Sequence, residues 1–137
     1  VPELARLSHD FVQPADQVWQ AVVDPALRSQ WFGDADLPME EGAPARVSLP
    51  PRPFSGGDLQ GTVVYVVPGR TVAADLSDGR LQDARLQLHV MAKGDGSSRF
   101  ELVHRGLEDQ PVWVYAGWWL RWRRRVDRLV KVVDSLS

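Results

Sequence analysis

The chain contains no cysteine, which excludes disulfides, thiolate metal sites and a cysteine nucleophile together. It holds no apolar run near the roughly 18 residues that cross a bilayer, so no membrane span is expected. Val1-Pro2-Glu3 does not begin a basic and then apolar secretory leader, and it lacks an initiator Met, so processing could have removed an earlier segment. A cytoplasmic location is the resulting expectation. Neither sign of charge dominates: sixteen Lys plus Arg against eighteen Asp plus Glu leave a net charge of −2. That balance lacks the basic excess of a dedicated nucleic-acid binder. The sequence also has no HxH or HExxH spacing for zinc and no Gly-x-Ser-x-Gly turn for a serine hydrolase. Neither a metal nor another cofactor is expected, and no solenoid repeat is visible.

What remains is an ordinary globular composition, 44% hydrophobic and 25% charged over 137 residues. This length suits one domain, residues 1–137, with a real core. Six Trp is a high count for such a chain. Indoles bury large areas and often line binding cavities, although filling the core is their other common use.

The patterning places strands first. Ala5, Leu7, His9 and Phe11 alternate with Arg6, Ser8 and Asp10, as in a half-buried strand. Pro14 suits the first position of a helix carrying Val18, Trp19, Val22 and Val23, and Asp24-Pro25 starts a second one running to about Trp31. Short strands and turns follow. A weak strand is expected at Ala35–Met39, and Ala45–Leu49 alternates as a strand with Ala45, Val47 and Leu49 on one face. Pro50-Pro51-Arg52-Pro53 and Ser55-Gly56-Gly57-Asp58 read as loop and turn. Leu59–Val67 is the best strand, with Leu59, Gly61, Val63, Tyr65 and Val67 on one face. Thr71–Leu76, Gln82–Met91 and Ser98–Arg105 continue as hairpins, with turns at Pro68-Gly69, Ser77-Asp78-Gly79 and Gly94-Asp95-Gly96. From about Val112 the text is helical. Trp119, Trp122, Val126, Leu129, Val133 and Leu136 recur at 3, 4, 3, 4 and 3 residues, with Arg121, Arg124, Arg125 and Arg128 opposite as a solvated face. The fold class is therefore α+β. A curved antiparallel sheet of about seven strands wraps a long C-terminal helix, with two short helices after the first strand. A helix held by a curved sheet often leaves an apolar cavity between them.

This order resembles the helix-grip fold of the START/Bet v 1-like superfamily, also called SRPBCC. Within it the sequence is most similar to the branch named after the activator of the heat-shock-protein-ninety ATPase. The resemblance is carried by Phe11-Val12-Gln13-Pro14-Ala15-Asp16-Gln17-Val18-Trp19, by Asp24-Pro25 and Trp31-Phe32-Gly33, and by Gly61-Thr62-Val63-Val64 with Pro68. Phe100-Glu101-Leu102-Val103-His104-Arg105-Gly106-Leu107 and Gly117-Trp118 complete it. The terminal helix departs from the branch at Trp122 and Arg125, where leucine is usual. The resemblance implies ligand binding in a cavity far more strongly than any one reaction.

On the strand arithmetic, His9 and His104 sit on apolar faces that point toward the terminal helix, whereas His89 points outward. His104, His9 and Tyr65 are the candidate proton-handling residues, with a buried structural histidine as the competing reading. Phe11, Trp31, Tyr65, Phe100, Leu102, Tyr115, Trp118, Trp119 and Trp122 are the candidate ligand-binding residues. The expected partner is a small apolar or planar aromatic molecule. If there is turnover, which the sequence leaves open, cyclase, aromatase or dehydratase chemistry on a polyketide-like substrate fits; sequestration of a metabolite fits equally. The alternative is a protein-interaction module, co-chaperone-like, with a filled core and an exposed patch. A homodimer is compatible with either, and a chaperone partner ranks behind the small molecule.

Overall fold

The computed structural model describes residues 4–33, 35–48, 58–77, 84–107 and 110–136. Strand β1 spans Leu4–Phe11, and helices α1 and α2 span Ala15–Val23 and Pro25–Trp31. Strands β2 to β7 span Ala35–Asp36, Pro44–Val47, Leu59–Val67, Thr71–Ser77, Ala84–Ala92 and Ser98–Arg105. Helix α3, Val112–Ser135, ends the fold. The expected loop at Pro50–Pro53, most of the turn at Ser55–Asp58, Asp78-Gly79 and the start of the Gln82–Met91 strand lie outside the described residues.

The seven strands form one antiparallel sheet in the order β1-β7-β6-β5-β4-β3-β2, so β1 closes onto the last hairpin rather than onto its sequence neighbour. This is the α+β architecture that the patterning predicts, in the helix-grip arrangement that the resemblance implies. One face of the sheet is apolar and holds Leu7, Phe11, Val72, Leu88, Phe100 and Leu102, all buried with the inner side of α3. The opposite face carries cross-strand ion pairs, among them Arg85 with Asp75 at 2.6 Å and Arg6 with Glu101 at 3.5 Å. Pairs of this exposed kind contribute well under about 1 kcal/mol each. No helix among the described residues is long and apolar enough to cross a membrane.

Proline sets both helix starts, though differently. Pro14 precedes α1 with extended backbone, one position earlier than expected. Pro25 is the first residue of α2, and the Asp24 carboxylate accepts from the amides of Ala26 and Leu27 at 2.9 and 3.4 Å. The indole of Trp31 donates to the carbonyl of Ala21 at 2.8 Å, tying α2 back to α1. At the far end of α3, Gln13 donates to Asp134 at 2.9 Å. The same helix is thereby pinned near its C-terminus by the segment that precedes α1.

Strand β4 departs from simple alternation. Val63 pairs with Ala74, but the next paired residue, Tyr65, faces Ala73, so a bulge at Val64 reverses the pleat. Tyr65 consequently lies on the outer face. Its hydroxyl accepts from Gln87 at 2.8 Å, and Arg105 donates to the other end of Gln87 at 3.1 Å. After the bulge Val66 replaces Tyr65 as the residue packed on the core.

Candidate functional site

His104 stands on β7 between Ala5 of β1 and Leu86 of β6, and it is 1% exposed. Above it, α3 presents Trp118 and Trp122 one turn apart, stacked at 5.6 Å with 25° between their planes. The imidazole meets both indoles edge-on, with centroid distances of 4.8 and 5.8 Å. Trp122 Nε1 donates to His104 Nδ1 at 2.9 Å. An indole N–H can only donate, so Nδ1 holds a lone pair and Nε2 carries the proton of the neutral ring. Toward a ligand, such a ring presents a donor and not a base.

The stack continues into α2. Phe32, which ends that helix, lies parallel to Trp122 at 5.9 Å, and Trp31 bridges Phe32 to Phe100 at 5.1 and 5.9 Å. Beside this ladder sits Arg125, only 8% exposed, its guanidinium carbon 5.1 Å from the Trp122 ring and 5.5 Å from Phe32. One Nη2 hydrogen bond reaches the Ser48 carbonyl at 3.3 Å. Burial, then repulsion from Arg121 and Arg128, pushes the guanidinium down to about 10, which still leaves it a cation at neutral pH. Gly33 turns the chain beside it with φ +82°, a conformation open to glycine.

The sequence-based candidates divide. His104, Phe100, Leu102, Trp118 and Trp122 share the interior cluster. Phe11 and Trp31 are buried around it, and Tyr115 packs against its edge. His9 does not join His104. It pairs with Phe100 and contacts Phe11 at 4.7 Å, four residues along the strand from Ala5, the partner of His104, a separation of about 13 Å at ordinary strand rise. Two candidates leave the interior altogether. Tyr65 is turned outward by the bulge. Trp119 is 37% exposed because the buried face of α3 runs through Trp118 and Trp122 instead. The solvated arginine face also needs correction, since Arg125 is buried whereas Arg123 pairs with Asp127 at the surface, 3.5 Å apart. Arg125 was findable: Trp118, Trp122, Arg125, Leu129 and Val132 recur at 4, 3, 4 and 3 residues, a second stripe beside the one that starts at Trp119. Two open grooves, of about 610 and 550 Å³, lie elsewhere, near His89 and near Arg46.

Neither a protein-family model nor a curated protein sequence matches the chain. Solved structures do. The chain is similar to protein MLL2253 from Mesorhizobium loti, with a TM-score of 0.82, 16% identity and 98% of each chain covered. It is similar to DynU16, a protein of the dynemicin biosynthetic locus, with a TM-score of 0.80 and 22% identity over 98% of this chain and 48% of that one. It is also similar to the Aha1 dimer from Colwellia psychrerythraea, with a TM-score of 0.74, 12% identity and 95% of each chain covered. At these identities the likeness is one of fold. The chain has the helix-grip fold and shares it with these structures.

Proposed function

We propose that the chain binds a planar, largely apolar small molecule against the Trp118–Trp122–His104 cluster between the sheet and α3. One observation carries this reading. Trp118 Nε1 is buried with no hydrogen-bond partner, inside an aromatic stack that also holds an imidazole fixed as a donor. A chain using these rings only as filler would give that N–H a protein acceptor, because a lone buried donor costs about 1–3 kcal/mol. A carbonyl or hydroxyl of a stacked ligand would satisfy it. Ring pairs contribute about 0.5–1.5 kcal/mol each beyond area burial, enough to hold a planar skeleton.

The helix-grip fold and the place of DynU16 in a biosynthetic locus support a small-molecule role. The finer resemblance, to the branch named after the heat-shock-protein-ninety ATPase activator, belongs to the same reading and rests on the sequence motifs. For turnover of the cyclase or dehydratase kind, the site would fold a carbonyl chain while His104 Nε2–H polarises one carbonyl oxygen. Simple sequestration uses the same contacts.

A second reading, a protein-interaction module, is favoured by the first turns of α3. Val112, Trp113, Trp119 and Leu120 are 69, 47, 37 and 47% exposed, an apolar stripe on one helix. Tryptophan fluorescence separates the two. Saturable quenching by planar polycyclic compounds, reduced in Trp118→Phe, is the expected result. Silence across the panel, with concentration-dependent sedimentation abolished by Leu120→Glu, would replace the ligand with a protein partner.

A further inference from the structure

We propose that the interior site has an anion subsite formed by Arg125 and Arg121, so that its ligand is a planar apolar molecule bearing an acidic group at one end. The inference rests on the reading above and adds the charge of the ligand. Arg125 Nη1 and Arg121 Nε are both buried without a hydrogen-bond partner, and no carboxylate of a described residue pairs with either group. The two stand one turn apart on α3, Arg121 with its guanidinium 5.7 Å from the Trp118 ring and Arg125 5.1 Å from Trp122. Trp118 Nε1 adds a third unsatisfied donor to the same row.

Arg28 shows what a structural arginine looks like in this protein. It is equally buried, but its Nη1 donates to the carbonyls of Leu37 and Val22 at 3.1 and 3.5 Å, and Asp36 and Asp24 supply opposite charge. Arg125 has one carbonyl at 3.3 Å, and the charges that act on it are those of Arg121 and Arg128. A buried cation repelled by a half-buried one beside it is unfavourable for folding, and an apolar residue of similar volume is often neutral or better at the buried position. The guanidinium fork matches a two-oxygen anion. An acidic group placed between the two arginines would relieve their repulsion, while the aromatic body of the same molecule lay along Trp118 and Trp122.

The test uses two dyes with one skeleton, anilinonaphthalene sulfonate, which is anionic, and phenylnaphthylamine, which is not. Both are titrated by fluorescence into the wild-type chain, R125M and R121M. Losing a charge-assisted contact predicts that the wild type prefers the sulfonate by about tenfold or more, a preference that R125M removes while leaving phenylnaphthylamine affinity unchanged. R121M should weaken the preference without abolishing it. R125M should also melt at the wild-type temperature or above, since it removes an unpaired buried cation. Binding of phenylnaphthylamine with no sulfonate preference, or a preference that survives R125M, overturns the anion subsite and leaves the proposed binding at the aromatic cluster standing. Binding of neither dye overturns both.

Discussion

The indole N–H of Trp122 and the Nδ1 of His104, 2.9 Å apart, join α3 to strand β7, next to the edge strand β1, by a buried side-chain hydrogen bond. The bond fixes the histidine tautomer as well as the position of the helix. Trp122→Phe keeps a ring in the stack but removes the donor, leaving Nδ1 in a dry place. We expect a loss of about 1–3 kcal/mol in urea unfolding. Nitrogen chemical shifts of the imidazole should show the neutral ring in a mixture of tautomers. An unchanged single tautomer would mean that another group sets the proton position.

Tyr65 gives a prediction of the opposite kind. Its hydroxyl is engaged by Gln87 on the outer face, away from the aromatic ladder. Tyr65→Phe should therefore leave ligand affinity within about twofold, and stability should fall by about 0.5–1.5 kcal/mol, the usual worth of one partly buried hydrogen bond. Tenfold weaker binding in the dye titrations would instead return Tyr65 to the site.

These two residues show how far the sequence could be read. Alternation placed His104 on the inner face correctly because β7 runs without interruption from Ser98 to Arg105. The same arithmetic failed at Tyr65, because one bulged residue reverses every side chain after it and Val63-Val64-Tyr65-Val66 carries no turn chemistry to announce it. On α3 the heptad through Trp119 was visible, but a wide buried face admits two stripes, and charge alone argued against the one containing Arg125. Element order was legible from prolines, glycines and periodicity. Register was not: nothing local in β1 or β7 says that His9 meets Phe100 and not His104.

Gly61 tests the packing of β4 on β5. A Cβ built on it would overlap the carbonyl oxygen of Asp75, a backbone atom that can move only with its strand. Glycine is thus required by the close approach of two backbones, beside Leu76 in the ladder. Gly61→Ala should destabilise the fold by more than about 2 kcal/mol, the range of overpacked and strained sites. Thr62→Ala, one residue on and exposed, should shift the urea midpoint little. Equal midpoints for the two variants would show that β4 and β5 can separate at this point without loss.

His89 should make stability fall on the acid side of neutrality. It is half-buried on the outer face, with Nδ1 3.0 Å from the Thr71 hydroxyl, and burial, its largest influence, lowers its pKa below 6.5 despite the nearby Glu101 charge. A histidine whose folded pKa is depressed favours the folded state while neutral. Its contribution is complete above the unfolded value of about 6.5 and is lost as pH falls through the lower folded value. Urea midpoints measured from pH 8 down to about 5 should decline for the wild type and decline less for His89→Gln. The aspartates whose pKa values are also lowered, Asp10 and Asp95, titrate below 3.8 and stay out of this window. Parallel curves for the two proteins would assign the acid sensitivity to another histidine, with His104, sealed against two tryptophans, the next to replace.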